Sequence, residues 1–260
     1  MAEARILGVI PARLGSERLP RKPLHVIAGR PLLEWVWRRV AGFRSLERVV
    51  VATDAAEIVE ACRSWGAAVE LTAASHCSGT ERIAELIGRA EYAVYDIVVN
   101  VQGDEPFVQE AHVEEAIAQV RRGFDIGTVG APVGSLEAWL DPGVVKVTRR
   151  VDGAALYFSR SPIPFHRDGD PAPEALRGEP YLRHVGLYAY RPDVLRRWST
   201  LPASELESIE RLEQLRALCA GLSVGVGVVA EAEGGVDTAA DAARAEQRLR
   251  SEPPGEDRVR

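Results

Sequence analysis

Four cationic side chains share one Gly- and Pro-rich segment near the start of the chain, residues 10–24. They follow a short apolar run, Ile6–Ile10, of strand length, and they are Arg13, Arg18, Arg21 and Lys22. Backbone N–H groups of such a loop can approach an anion closely, while arginine and lysine add directed positive charge. The segment contains neither GxxxxGK[ST] nor GxGxxG. Its positive charges and its place after a strand nevertheless suit a polyphosphate. The alternative is a basic loop that only faces solvent.

Two acids far apart in the sequence each follow a strand-like stretch. Asp104 comes shortly after the buried run 96–101, and Asp237 precedes a helical pattern. Taken alone, Asp104 is as typical of an acidic turn as of a metal ligand. Asp-Thr before a helix is usually a helix cap. Carboxyl ends of parallel strands share one edge, where two carboxylates would repel each other without a cation. The pair therefore predicts a Mg²⁺ site, beside which Gln102 offers an amide to a substrate hydroxyl.

Other polar residues stand at strand or helix ends. The stretch 76–82 has small hydroxyl residues and a glycine that can receive a base or ribose, although an N-cap loop is equally typical. Arg160 follows a strand and can face a carboxylate. His184, at the start of a strand, is more often structural than catalytic. Leucines at helical spacing around Glu213 and Gln214 indicate a buried face and leave these two residues facing solvent.

The first half of the chain alternates between continuous apolar runs and helical patterns. This alternation predicts a parallel sheet covered on both faces by helices. The predicted strands are Ile6–Ile10, Arg48–Thr53, Ala67–Leu71 and Asp96–Val101, and the predicted helices are Pro31–Val40, Ala55–Trp65 and Thr80–Arg89, the last capped by Thr80.

The second half has shorter strands and longer loops. Residues 165–180 are mostly Gly, Pro and charged residues, which predicts a surface loop. We predict one domain over 1–250 with a β-rich insert at roughly 150–190, followed by a frayed tail, 251–260. The predicted strands are Val144–Arg149, Ala154–Phe158, His184–Tyr190 and Val224–Val229, and the predicted helices are Pro192–Trp198, Glu207–Cys219 and one from Thr238, its cap, to about Leu249.

Composition narrows the function classes. The net charge of −6, from 38 acidic and 32 basic residues, argues against a nucleic-acid partner. The three cysteines, Cys62, Cys77 and Cys219, form no CxxC motif and fit a reducing compartment. No signal peptide and no run of about 20 apolar residues is present. We therefore expect a cytoplasmic protein without a membrane partner.

Taken together, these segments resemble the bacterial 3-deoxy-manno-octulosonate cytidylyltransferases (CMP-Kdo synthetases). The resemblance runs from Ile6 to about Leu249, and the stretches follow the order and spacing of that family. The matching stretches are IPARLGSERLPRKPL, VATD, HCSGTERIAE, VNVQGDEP, VKV, ALYFSRSPIP, RHVGLYAYR, LEQLR and GVDT.

The resemblance implies a nucleotide-diphospho-sugar transferase-like, Rossmann-like α/β fold with an inserted β-rich dimerisation segment, and a homodimer. It also implies a nucleotidyltransferase that joins CTP to 3-deoxy-D-manno-octulosonate (Kdo), giving CMP-Kdo and pyrophosphate for lipopolysaccharide biosynthesis, with Mg²⁺ as cofactor. Alternatives are a same-fold enzyme acting on a sialic-type or amino-substituted ulosonic acid, and a non-catalytic nucleotide-sensing protein.

Residue roles follow from the resemblance as expectations. Lys22, Asp104 and Asp237 would be catalytic, and the two acids would bind the metal. The CTP-binding residues would be Arg13, Arg18, Lys22, Ser78, Gly79 and Thr80. The sugar-binding residues would be Gln102, Arg160, His184, Tyr188, Glu213 and Gln214.

Overall fold

The structure is a computed structural model that describes residues 4–16 and 18–251. Its contacts divide the chain into two compact units, one from residues 1–110 and 233–260 and one from residues 111–232. The predicted insert, 150–190, lies within the second unit, and the assignment of 1–250 to one domain stays a prediction. The predicted frayed tail falls outside the described residues, apart from Ser251, which ends a helix.

The first unit contains a parallel sheet. Its strands are β1 (Ile6–Ala12), β2 (Val26–Ile27), β3 (Arg30–Pro31), β4 (Arg48–Thr53), β5 (Val69–Leu71) and β6 (Ile97–Val101). The order β6–β1–β4–β5 is parallel throughout, while β2 and β3 form a separate antiparallel ribbon. Because all four strands are parallel, their carboxyl ends lie along one edge, where ligands bind in open α/β sheets.

Helices cover this sheet. They are α1 (Leu32–Ala41), α2 (Ala56–Ser64) and α3 (Gly79–Ile87), while the final helix (Ala239–Ser251) packs against Ile27 of the β2–β3 ribbon. The buried side of α1 carries Leu32, Leu33, Val36 and Val40 at helical spacing. Burying one such side chain stabilises the fold by about 1.5–3 kcal/mol. The buried pattern of β1 and β6 is continuous rather than alternating, as expected for strands covered on both faces. The predicted α/β class is confirmed.

The second unit is richer in antiparallel pairing. Its strands are β7 (Ile126–Pro132), β8 (Lys146–Arg149), β9 (Ala155–Ser159), β10 (Leu182–Tyr190) and β11 (Val224–Val228), and its helices are α4 (Glu110–Arg121), α5 (Leu136–Leu140), α6 (Pro192–Ser199), α7 (Glu205–Glu210) and α8 (Gln214–Cys219). The order is β11–β7–β10–β8–β9, with β11 and β7 parallel and the other pairs antiparallel. A Cβ atom at Gly127 would overlap the Ala116 carbonyl oxygen, so glycine lets α4 lie directly on β7.

Two sequence predictions about elements are wrong in detail, and some elements were not predicted. The predicted helix Glu207–Cys219 is two short helices, because Arg211 adopts a left-handed conformation (φ 52°) between them. Helix α3 is capped by Ser78 and not by Thr80, because the Ser78 hydroxyl accepts the Glu81 N–H at 3.2 Å. Helix α4 and strand β7 were not predicted at all.

Over the part of the chain that the structure describes, no helix has the length and apolar character needed to cross a membrane.

Candidate active site

Backbone contacts at the carboxyl edge of the first unit's sheet bring the segments of the two predicted acids together. The N–H of Val236 donates to the Asp104 carbonyl oxygen at 2.8 Å, so the residue before Asp237 is tied to the turn after β6. A Cβ atom on Gly235 would lie 3.2 Å from that same oxygen. Glycine at this position therefore lets the two segments approach closely.

The turn after β6 is also tightly packed on β1. A Cβ atom on Gly103 would lie 3.1 Å from the Pro11 carbonyl oxygen, so a side chain there would push the turn away. Beside it, the Gln102 amide donates to Asn100 Oδ1 at 3.4 Å. The glycine thus fixes the position from which Asp104 projects, and Gln102 remains partly exposed next to it.

Lys22 lies between the two acids. It begins a 3₁₀ turn, Lys22–Leu24, and its Nζ contacts Asp104 Oδ2 and donates to Asp237 Oδ1 at 2.9 Å. Hydrogen bonds of at most about 3.2 Å to one nitrogen keep the two oxygens within about 6 Å of each other. The Lys22 side chain is only 19% exposed. Burial lowers its pKa, but Asp104 and Asp237 raise it more, so its pKa is raised overall and the ammonium stays charged.

The other cationic side chains of this loop differ in their partners. Arg18 Nη2 lies 3.1 Å from Asp237 Oδ2, although its side chain is 66% exposed. Arg13 is exposed and its Nη1 is 3.5 Å from the Cys77 carbonyl oxygen. Arg21, in contrast, forms an ion pair with Glu57 at the start of α2. Arg18 and Lys22 thus share Asp237 as a partner, Arg21 anchors the loop to α2, and a role of Arg13, Arg18 and Lys22 toward phosphate stays a prediction.

The predicted nucleotide loop leads into α3. Ser78 caps that helix, so its hydroxyl is already engaged with the backbone. Gly79 packs on Pro11, where a Cβ atom would approach Pro11 Cγ to 3.0 Å. Thr80 is buried. The helix-cap alternative therefore describes the side chain of Ser78, and a role of these residues toward CTP stays a prediction.

Two side chains of α3 that the sequence analysis did not single out hold this loop. Arg82, 2% exposed, donates through Nη1 to Thr72 Oγ1 at 2.5 Å and through Nη2 to Asp54 Oδ2 at 2.8 Å. Glu85 accepts the Ala73 N–H at 2.8 Å. Burial raises the pKa of Glu85, but its hydrogen bonds and the neighbouring charges lower it to about 2 overall. The signal was present in GTERIAE, whose i, i+3 and i+4 spacings aim these side chains back over the preceding loop.

Asp241 decides how Asp237 is presented. Asp241 Oδ2 accepts the Thr238 N–H at 2.8 Å and the Asp237 N–H at 3.1 Å, and Thr238 Oγ1 accepts the Asp241 N–H at 3.2 Å. The predicted cap at Thr238 is confirmed. Since the cap uses Thr238 and Asp241, the Asp237 carboxylate is left for Lys22 and Arg18.

His184 and its neighbours in the second unit form a packed, neutral cluster. His184 Nε2 lies 2.9 Å from Thr128 Oγ1, and the ring packs edge-on against Phe158 at 5.0 Å. Burial, with a smaller contribution from Arg183, lowers the pKa of His184 to about 3, so the imidazole is neutral near pH 7. Tyr188 is buried against Trp198, and burial raises the pKa of its hydroxyl.

The remaining predicted sugar-binding residues lie near the junction of α7 and α8. Arg160 donates through Nε to the Glu210 carbonyl at 2.8 Å and through Nη1 to the Pro142 carbonyl at 2.9 Å. Its Nη2 makes no hydrogen bond to any residue that the structure describes. Glu213 is partly exposed, whereas Gln214 is buried. The expectation that helical spacing leaves Gln214 facing solvent is wrong, because α8 starts anew at Gln214 with a different orientation.

The acids fit Mg²⁺ as a donor set. Among residues 4–16 and 18–251 no group of three His, Cys, Asp or Glu side chains is placed to hold a metal ion. Mg²⁺ does not require one, because it is usually bound through one or two carboxylates together with substrate phosphates and water. Asp104 and Asp237, already sharing one cationic partner, supply such a pair.

Comparisons of sequence support the same chemistry. The profile of a family described as Cytidylyltransferase matches residues 7–224. A 3-deoxy-manno-octulosonate cytidylyltransferase from Gemmatimonas aurantiaca is 47% identical over 241 residues, which are 92% of each chain. One of the same description from Pseudomonas syringae pv. tomato is 45% identical over 93% of this chain and 96% of its own.

Comparisons of structure agree. A solved CMP:2-keto-3-deoxy-manno-octonic acid synthetase in complex with CTP superposes with a TM-score of 0.86 at 38% identity, covering 96% of this chain and all of that one. The 4-diphosphocytidyl-2C-methyl-D-erythritol synthase of Anaerococcus prevotii, at 14% identity and a TM-score of 0.61, covers 95% of this chain and 99% of its own. The second likeness shows a shared fold alone.

Proposed function

Because this chain belongs to the 3-deoxy-manno-octulosonate cytidylyltransferase family, we propose that it transfers CMP from CTP to Kdo, giving CMP-Kdo and pyrophosphate. The observation that carries the proposal is the group of two carboxylates and one ammonium at the carboxyl edge of the parallel sheet. Nucleotidyl transfer needs both kinds of group around a triphosphate: cationic groups that neutralise its charge and carboxylates that can hold a metal ion.

The cationic loop holds the phosphates. Arg18 and Arg13 are exposed and contact different segments, Arg18 the Asp237 carboxylate and Arg13 the Cys77 carbonyl. Their guanidinium groups can bind phosphate oxygens in pairs, and Lys22 supplies a compact point charge. These side chains neutralise the outer phosphates, which leave as pyrophosphate.

Asp104 and Asp237 would hold Mg²⁺ at the reacting phosphate. When bound, such an ion supplies Lewis-acid charge neutralisation at phosphate oxygens and an acidified hydroxyl. The contribution of the chain is to keep the two carboxylates at one place, through Gly103, the Val236 hydrogen bond and the Asp241 cap.

The acceptor carries a carboxylate and reacts through its anomeric hydroxyl. The hydroxyl oxygen forms a bond to the α-phosphorus in line, the bond from that phosphorus to the β-phosphate bridging oxygen breaks, and the hydroxyl proton goes to solvent. No covalent intermediate with the protein is needed, so positioning and charge neutralisation supply the catalysis. Arg160, whose Nη2 is free of described partners, is the side chain we assign to the acceptor carboxylate.

Two further properties complete the proposal. We assign a homodimer, because β9 pairs with β8 alone among the described strands and so leaves one edge open. Large apolar side chains of the same unit are also exposed: Leu156 on β9 by 58%, Phe165 by 83% and Ile209 by 77%. A second copy of the chain could cover such exposed apolar side chains and pair with this strand edge. We also place the protein in the cytoplasm, supplying CMP-Kdo for lipopolysaccharide biosynthesis, where its three free cysteines remain reduced.

The test is pyrophosphate release by the purified chain with Mg²⁺, CTP and a panel of acceptors. Kdo should give clearly faster release than a sialic acid or an amino-substituted ulosonic acid, and CTP should exceed UTP, ATP and GTP. Preference for another ulosonic acid would keep the chemistry and change the substrate. Absence of CTP-dependent release with every acceptor would refute the enzymatic proposal in favour of a nucleotide-sensing protein.

A further inference from the structure

One ammonium group serves both carboxylates of the proposed metal site. Lys22 Nζ contacts Asp104 Oδ2 and Asp237 Oδ1, while Arg18 occupies the other oxygen of Asp237 at 3.1 Å. The carboxylate of Asp104 is 24% exposed and that of Asp237 is 40% exposed, so water screens neither fully. Without a cation between them, two such neighbours would repel each other strongly.

Lys22 therefore stands at the position that a metal ion would take. Both a divalent ion and the ammonium would need the same inward oxygens, and two like charges a few ångströms apart in a partly buried site repel strongly. A metal ion that binds these oxygens must consequently displace Lys22. The displaced ammonium, largely shielded from water, then requires a new anionic partner.

A triphosphate is such a partner. The lysine side chain is a point charge on a flexible stem, so it can swing from carboxylate to phosphate with little change in the backbone. Arg18 is less suited to this exchange, because it contacts one carboxylate only and is mostly exposed. The exchange of Lys22 links the arrival of the metal to the arrival of the nucleotide.

We propose that Lys22 is an internal counter-ion that occupies the cation position between Asp104 and Asp237 until nucleotide binds, so that divalent metal binds the nucleotide-free protein weakly and arrives together with CTP. This inference rests on the proposed function only in placing a metal and a triphosphate at this site. It assigns to Lys22 a second task, the exclusion of metal from the site without nucleotide.

The experiment measures Mn²⁺ binding to the full chain without nucleotide, by electron paramagnetic resonance of the free ion. The wild-type protein should bind Mn²⁺ weakly, and Lys22→Met should bind it about tenfold tighter or more, because one competing unit charge is removed. The matched control, Arg21→Met, removes a charge of the same loop that pairs with Glu57 and should leave Mn²⁺ affinity unchanged. Adding Asp104→Asn to Lys22→Met should abolish the gain, which locates the ion at this pair.

Thermal unfolding gives an independent readout. Lys22→Met should melt at a lower temperature than wild type in metal-free buffer and should regain stability with Mn²⁺, whereas wild type should respond little. If Lys22→Met does not fold, Lys22→Gln, which keeps a hydrogen-bond donor without the charge, takes its place. Mn²⁺ affinity in these variants equal to that of wild type would overturn the inference. Since neither CTP nor acceptor is present, that result would leave pyrophosphate release untouched.

Discussion

The charged residues of the first unit and the predicted sugar-binding residues of the second unit have different kinds of hydrogen-bond and packing partners. Lys22, Asp104 and Asp237 are partnered by one another and remain partly exposed, so a ligand with its own charges can replace those partners. His184 and Tyr188, in contrast, are engaged with buried side chains of their own unit. Charged partners that a ligand can exchange are typical of a binding site, whereas neutral packed groups first shape the protein.

This difference separates two kinds of residue among those predicted to bind substrate. Residues such as Lys22 would contact the substrate and change partner when it binds. Residues such as His184 would contribute a neutral wall of fixed shape, whose hydrogen bonds do not rearrange. Arg160 is intermediate between these kinds, because two of its guanidinium nitrogens donate to backbone carbonyls and the third has no partner among the described residues.

The sharpest test of the comparison is the removal of one charge from the first unit. Under the proposed mechanism, Asp104→Asn or Asp237→Asn should lower kcat by about 100-fold or more, since the two acids would hold the ion that supplies several kcal/mol of Lewis-acid stabilisation. Steady-state pyrophosphate release measures the effect. Asp96→Asn, at the amino end of the same strand and bonded to the Arg5 N–H, is the matched control.

That control should keep its activity, and the melting temperatures of the two active-site variants should remain close to wild type. Near-normal turnover of Asp237→Asn would show that the charged group does not serve catalysis.

Substitution of Arg160 tests whether this residue contacts the acceptor or the phosphates. Arg160→Ala should raise the KM for Kdo by about 10- to 100-fold with little change in the KM for CTP, because a charge-assisted hydrogen bond contributes about 1.5–3 kcal/mol. Arg150→Ala removes an exposed guanidinium that pairs with Asp152 and should change neither constant. A rise in the KM for CTP instead would move Arg160 to the phosphate side of the site.

Substitution of Arg13 tests whether the geometry of its guanidinium group, rather than its charge alone, is needed in the first unit. Arg13→Lys keeps the positive charge but loses the paired donors of the guanidinium, so the KM for CTP should rise by about 5- to 10-fold. Arg21→Lys, in the same loop but paired with Glu57, provides the control. An equal effect of both substitutions would mean that the loop responds to general disturbance and that Arg13 makes no specific contact.

The smallest effect is expected in the second unit, on stability. The pKa of His184, lowered to about 3 in the folded protein from an unfolded value of 6.5, means that the unfolded chain binds more protons between these values. Stability from this group is complete above pH 6.5 and is lost as the pH falls toward 3. Between pH 7 and pH 5, the free energy of unfolding measured with urea should therefore fall by about 1–2 kcal/mol less in the His184→Gln variant than in wild type.

Identical slopes for His184→Gln and wild type would indicate that the pKa of His184 is not lowered in the folded protein, and the contrast between the units would fail.

The order of elements in the first unit was predictable because local signals coincide with burial there. Continuous apolar runs mark β4 and β6, and the Gly- and Pro-rich segment after β1 carries its positive charges within ten residues. The region of α4 and β7 gave weaker signals. Its glycines, such as Gly127, matter through contact with α4, and such a contact has no signature along the chain.

The sequence by itself determined the chemical types and the approximate places of the acids and cations, since strand ends and loop composition are local properties. Only the tertiary structure decided that Lys22 lies between Asp104 and Asp237, residues 82 and 215 positions away. It also decided that the cap formed by Thr238 and Asp241 leaves Asp237 free to face the loop. Such distances depend on which strands become neighbours, and side-chain partners across a sheet edge follow from packing of the whole unit rather than from any short stretch.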